Sequence, residues 1–103
     1  MSCCSDNPSK ETPSPGKPAE SRQRFQEFLH AAGAPGALDG RTKQAVAVAL
    51  AVLAKCEPCL KIHVKKAREM GFSQDEIDEA AWMAISFGGS PTMMFYNGLR
   101  GNG

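Results

Sequence analysis

The chain has 103 residues, of which 12 are basic and 11 are acidic, and its formal net charge is +1. No basic stripe interleaved with aromatic side chains stands out, so the charge pattern argues against a nucleic-acid partner. This length suits one small domain.

Residues 1–20 are predicted to form a disordered N-terminal tail, because they hold four of the seven prolines and almost no large apolar side chain. Residues 21–103 then form the folded domain. A core of about 80 residues is marginal by itself, so we expect homo-oligomerisation to help stabilise it. The tail lacks the apolar segment of a signal peptide, and the longest apolar run, Ala45 to Ala54, is about half a membrane span. We therefore expect a cytoplasmic protein with no membrane partner.

The first predicted helix lies in "SRQRFQEFLHAAGA", where Phe25, Phe28, Leu29 and Ala32 recur at helical spacing. Gly33 and Pro35 end the pattern. The sequence therefore predicts a short amphipathic helix at the start of the folded domain.

The second predicted helix follows Asp39, a residue suited to cap a helix N-terminus, and runs through "GRTKQAVAVALAVLA". The alternating Ala and Val residues would also suit a strand, but Ala is among the best helix formers and the length favours a helix. Because this helix is apolar almost all round, we expect it to be buried on several sides.

Three further helices are predicted in the C-terminal half. Pro58 suits the first turn of the third helix, and Gly71 is placed to end it. Ser73 and Glu76 form a capping-box pattern for the fourth helix, which a pair of glycines ends before the last segment, "SPTMMFYNGL". No segment carries the signals of a β-hairpin. The fold class is therefore all-α, a small helical domain of about five helices.

The stretch "KCEPCLKIH" concentrates the reactive side chains, with Cys56, Cys59 and His63 inside nine residues. In a reducing compartment a CxxC pair is more often a redox or metal site than a permanent cross-link. Cys56 is predicted at or just before the helix start, Cys59 in its first turn, and His63 one turn further along the same face. A helix N-terminus and a neighbouring imidazole both favour a thiolate, and the second cysteine can close a disulfide. The pattern indicates a redox-active thiol pair.

Two other functions remain open on the same residues. A zinc site needs three or four ligands, and the remaining candidates are His30 on another helix and the adjacent pair Cys3 and Cys4 in the tail. That tail pair suggests capture of a soft metal, an accessory thiol relay or an incidental feature. Alternatively, both cysteines of the CxxC are inert and buried in a non-catalytic assembly protein. The sequence shows no sign of a bound organic cofactor.

The segment "LDGRTKQAVAVALAVLAKCEPCLKIHVKKAREMGFSQDEIDEAAWMAISFGG", from Leu38 to Gly89, resembles the carboxymuconolactone decarboxylase-like, or alkylhydroperoxidase D-like, family in its CxxCxxxH branch. The resemblance implies an all-α fold and a thiol peroxidase or disulfide reductase activity. It also implies a homo-oligomer, a hexamer or a trimer. A small peroxide or disulfide would be the substrate, and a dithiol protein or a small thiol the reductant.

By position, the resemblance assigns Cys56 and Cys59 to the redox pair and His63 to a proton relay. The family's relay also uses a glutamate twelve residues before the first cysteine, where this chain has Gln44. Glutamine can hold an imidazole by a hydrogen bond but cannot accept its proton, so a plain dithiol exchange gains weight over peroxidase activity.

We therefore predict that Cys59 attacks the peroxide, that His63 accepts its proton and that Cys56 resolves the sulfenic acid into a disulfide. Gln44 is predicted to orient His63 or a water. The last two helices carry apolar side chains that we expect in the core or in a subunit interface: Trp82, Met83, Phe87, Met93, Met94 and Phe95.

Overall fold

A computed structural model of the chain describes residues 16–100. These residues form five α-helices and no β-strand: α1 (Pro18–Gly33), α2 (Gly40–Leu53), α3 (Glu57–Glu69), α4 (Gln74–Gly88) and α5 (Ser90–Leu99). The predicted all-α class and the number of helices are confirmed. Helix α1 begins at Pro18, three residues before the predicted domain boundary at residue 21, because proline is tolerated in a first helical turn. Most of the predicted tail lies outside the described residues.

The chain divides into two compact units, one ending at Ala34 and the other beginning at Pro35. In the first unit, Arg24 pairs with Glu20 one turn earlier at 2.9 Å, and the rings of Phe25 and Phe28 stack with their centroids 6.3 Å apart. None of the residues of α1 is buried. The predicted amphipathic helix therefore exists, with its apolar side chains still accessible in a single chain.

The second unit contains α2 to α5, and α2 packs against both α3 and α4. The N-terminus of α2 is capped, as predicted, by Asp39, whose side chain accepts a hydrogen bond from the Thr42 N–H at 2.7 Å. Val48 and Val52 are fully buried. The core around them consists of Ala51, Leu60, Ala67, Phe72, Ile77, Ala81, Ala84, Ile85 and Tyr96. Leu50 on the same helix stays exposed, so a single chain buries this helix on fewer sides than the sequence suggests.

A tight turn joins α2 to α3 and fixes where the first cysteine of the CxxC lies. The Cys56 N–H donates to the Ala51 carbonyl at 3.2 Å, and the Lys55 N–H donates to the Val52 carbonyl at 3.1 Å. This is the Schellman arrangement, in which the residue after the C-cap adopts the left-handed conformation. That residue is Lys55, with φ of 55°. The turn stops α2 and starts α3 within three residues.

Helix α4 begins at the predicted capping box. Ser73 Oγ accepts the Glu76 N–H at 3.1 Å, and a Glu76 carboxylate oxygen accepts the Ser73 N–H at 2.9 Å. At its other end Gly88 contacts α5 so closely that a Cβ there would overlap Thr92 Oγ1. The Tyr96 hydroxyl of α5 donates a hydrogen bond to the Asp78 carboxylate of α4 at 2.7 Å, and this bond holds α5 against α4.

Candidate redox site at the start of helix α3

The two cysteines of the CxxC occupy the start of α3, as predicted. Cys56 is the N-cap residue, Pro58 lies in the first turn, and the Cys59 N–H donates to Cys56 Sγ at 3.3 Å. The two sulfurs are joined in a disulfide, with the Cα atoms 5.3 Å apart. Both side chains are half-buried. A sulfur at an N-cap receives a backbone N–H and the positive end of the helix, and both stabilise a thiolate when the pair is reduced.

His63 lies four residues after Cys59 on α3 and is half-buried. Residues four apart on a helix share a face, so His63 lies on the face of α3 that carries Cys59. Burial, followed by the positive charge of Lys66, lowers the pKa of His63 below its ordinary value. His63 is therefore predominantly neutral near pH 7.

Gln44 reaches His63 from α2 and is only 5% exposed. Its amide nitrogen donates to the main-chain oxygen of His63 at 2.8 Å and lies 3.4 Å from Nδ1 of the same ring. The position that the family resemblance singled out therefore contacts the predicted histidine. Buried amides with satisfied hydrogen bonds hold their neighbours in place.

Charged side chains are neighbours of the two cysteines in the sequence. Glu57 is the nearest carboxylate in sequence, and Lys61 pairs with it at 3.1 Å. Lys55 is exposed and has no ion-pair partner among residues 16–100. The left-handed conformation of Lys55 had no sequence signal, because glycine is the usual residue at that position of a Schellman turn.

The sequence offered three further candidate ligands outside α3. His30 belongs to α1 in the first compact unit, and Cys3 and Cys4 lie outside the described residues. Between residues 16 and 100, no three His, Cys, Asp or Glu side chains are grouped so that they could hold a metal ion. None of the five described helices is long and apolar enough to cross a membrane.

The model of the carboxymuconolactone decarboxylase family matches residues 19–98. Among curated proteins, "Uncharacterized protein 4 in cox locus" of Paracoccus denitrificans is 51% identical over 51 residues, which are 50% of this chain and 46% of that protein. An uncharacterized protein of Cupriavidus necator is 32% identical over 71 residues, which are 69% of this chain and 63% of that protein. The chain thus spans about half of the length of the first relative and just under two thirds of the length of the second.

Two solved structures of a Thermotoga maritima protein have a similar fold. One superposes with a TM-score of 0.69 at 28% identity, covering 75% of this chain and 66% of that one. The other superposes with a TM-score of 0.71 at 28% identity, covering 76% and 68%. The first is described as a carboxymuconolactone decarboxylase family protein for which involvement in the antioxidative response has been suggested.

Proposed function

The chain belongs to the carboxymuconolactone decarboxylase family, and we propose on this basis that it is a thiol-dependent oxidoreductase that reduces disulfides or peroxides. The observation that carries the proposal is the Cys56–Cys59 disulfide at the start of α3, with the first sulfur at the N-cap. A half-buried histidine one turn further along α3 supports it.

With a disulfide substrate, the Cys59 thiolate attacks one sulfur, the substrate S–S bond breaks, and the first substrate thiolate leaves. The Cys56 thiolate then attacks the Cys59 sulfur and releases the second thiolate. The protein pair has been oxidised to a disulfide and the substrate reduced to two thiols. An external dithiol protein or small thiol then reduces the Cys56–Cys59 disulfide back to two thiols. A cytoplasmic location would supply such reductants.

With a peroxide, the Cys59 thiolate attacks one oxygen, the O–O bond breaks, and an alcohol or water leaves. Cys56 then condenses with the sulfenic acid on Cys59 and releases water. The leaving oxygen needs a proton, which a relay would carry from the Cys59 thiol through His63 and a carboxylic acid, and the amide of Gln44 can neither take up nor release a proton in such a relay. We therefore propose that disulfide exchange is the faster of the two activities.

We further propose that the protein is a homo-oligomer, a hexamer or a trimer as the family resemblance implies. Large apolar side chains remain accessible on α2 and α4 of a single chain: Val46, Leu50, Leu53, Trp82, Met83 and Phe87. Phe87 is 82% exposed, which is unusual for a large aromatic residue outside an interface. Light scattering that shows a folded monomer at micromolar concentration would overturn this part.

The activity is tested with a chromogenic aromatic disulfide and with hydrogen peroxide, using a parent protein in which Cys3 and Cys4 are replaced by serine. This parent removes the two thiols outside the described residues that would react in the background. We expect exchange at a rate that Cys59→Ser abolishes, and a Cys56–Cys59 disulfide in the mass map of the oxidised parent. A parent that exchanges no faster than the Cys56→Ser/Cys59→Ser variant refutes the proposal, and one equivalent of metal per chain would favour a metal-binding module.

A further inference from the structure

We propose that the Gln44 carboxamide holds neutral His63 in the tautomer protonated on Nε2, so that this histidine serves the thiol pair as a hydrogen-bond donor. The proposal rests on the thiol function above and makes Gln44 a positioning residue. It reverses the role predicted from the sequence, in which His63 accepts a proton from Cys59.

The orientation of the Gln44 amide follows from its shortest contact. One end of the carboxamide lies 2.8 Å from the main-chain oxygen of His63. A carbonyl oxygen only accepts hydrogen bonds, so the Gln44 atom that faces it must be the NH₂ group. The side chain is 5% exposed, which leaves little room for water to replace this contact.

The amide orientation then determines which ring nitrogen carries the proton. The NH₂ group has two hydrogens, and one of them is used by the main-chain oxygen. The same nitrogen lies 3.4 Å from Nδ1 of His63, so the second hydrogen is available to that atom. A protonated Nδ1 would place one donor against another, whereas a bare Nδ1 accepts the hydrogen. The proton of the neutral ring must therefore be on Nε2.

This arrangement is opposite to the one that a glutamate at position 44 would create. A carboxylate accepts a hydrogen bond from Nδ1–H and leaves Nε2 bare, so that Nε2 can act as a base. The amide instead gives a hydrogen to Nδ1 and keeps Nε2 protonated. The His63 ring then has an N–H to donate, and Cys59 lies one turn earlier on the same face of α3.

The benefit falls on the step in which the protein disulfide is reduced. An incoming thiolate attacks Cys56 Sγ and forms a new S–S bond, while the Cys56–Cys59 bond breaks. The electron pair leaves on the sulfur of Cys59, one helical turn before His63. An Nε2–H group that donates to this sulfur stabilises the thiolate as a leaving group, without transfer of a proton.

The tautomer is tested by two-bond ¹⁵N–¹H correlation spectra of the full chain with ¹⁵N-labelled histidine rings at neutral pH. The exposed His30 serves as an internal reference, and a His30→Gln protein assigns the signals. We expect an unprotonated Nδ1 and a protonated Nε2 for His63. We expect Gln44→Leu, which keeps the bulk but removes the donor, to move both nitrogens towards the averaged values of His30. A protonated Nδ1 in the natural protein, or an unchanged tautomer in Gln44→Leu, overturns the proposal.

The effect on sulfur is tested in the Cys56→Ser protein, where the ultraviolet absorbance of the Cys59 thiolate reports its ionisation. Gln44→Leu removes the hydrogen bond to the thiolate, so it should hold roughly fivefold less Cys59 thiolate at a pH at which the thiol predominates in both proteins. An equal thiolate fraction in both proteins contradicts the donor role. If the tautomer and the thiolate shift are found but the natural protein exchanges no disulfide, the assigned activity fails and the tautomer stands.

Discussion

Replacing Gly88 by Ala tests the contact between α4 and α5 described above. A Cβ at this position would overlap Thr92 Oγ1 and lie 2.9 Å from Thr92 Cβ and 3.1 Å from Leu53 Cδ1. Thr92 is fully buried and cannot move into solvent. Overpacking of this kind costs about 1–3 kcal/mol, while Ala in place of Gly in a helix gains up to about 1 kcal/mol.

Because the overlap is with a fully buried side chain, we take the upper part of this cost, about 2–3 kcal/mol. The expected net loss in the free energy of unfolding is then about 1–2 kcal/mol, which lowers Tm by roughly 4–16 °C for a domain of this size. Thermal unfolding followed by circular dichroism measures it. Gly98→Ala in α5 is the matched control, because a Cβ there meets no atom within 4 Å. We expect this control to be neutral or slightly stabilising.

A double-mutant cycle separates the clash from other effects of the substitution. In a Thr92→Ala background the overlapping hydroxyl is gone while the Cβ of residue 92 and Leu53 remain, so Gly88→Ala should cost at least about 1 kcal/mol less than in the natural protein. If Gly88→Ala costs the same in both backgrounds, or stabilises the natural protein as Gly98→Ala does, the contact with Thr92 does not constrain this position.

Three further predictions concern the redox site. Gln44→Glu should raise the pKa of His63, measured by ring-proton titration, and speed peroxide reduction by at least about tenfold, measured by peroxide consumption. A variant in which the pKa rises but the reduction is slower would show that the protonation of His63 does not set the rate. Lys55→Gly should increase the free energy of unfolding by up to about 1 kcal/mol because it relieves a left-handed residue, whereas Lys55→Ala should not. The pKa of His63 is lowered in the folded chain, so the unfolded chain takes up a proton first as the pH falls. The free energy of unfolding should therefore decrease as the pH falls below the unfolded value of about 6.5, and keep its full value above it. Denaturant titrations should show a smaller decrease in His63→Gln.

Local sequence rules predicted the ends of the helices well. Asp39 caps α2, and Ser73 with Glu76 caps α4, because these hydrogen bonds join residues within one turn and depend on no distant packing. Helix α1 begins at Pro18, three residues before the predicted boundary, since proline is typical both of a tail and of a first helical turn. Lys55 was missed because the two helices it joins impose its conformation, against the preference of its side chain.

The candidate site was partly accessible from spacing. Cys56, Cys59 and His63 belong to one helix, so their shared face follows from 3.6 residues per turn. The contact from Gln44 joins residues 19 positions apart and depends on how α2 packs against α3. Periodicity carries no such information, and the family resemblance alone pointed to this position. The sequence likewise did not show that the Gln44 amide would direct its NH₂ group, and not its oxygen, at the His63 ring.

The N-cap position of Cys56 makes the first turn of α3 a local reporter of oxidation state. The Cys59 amide hydrogen is directed at Cys56 Sγ, at an N to S distance of 3.3 Å. A thiolate sulfur is a much stronger acceptor than a sulfur in a disulfide, because it carries the full negative charge. Reduction that leaves Cys56 ionised therefore strengthens the cap, and slows exchange of this one amide hydrogen with solvent deuterium while amides deeper in α3 keep their protection.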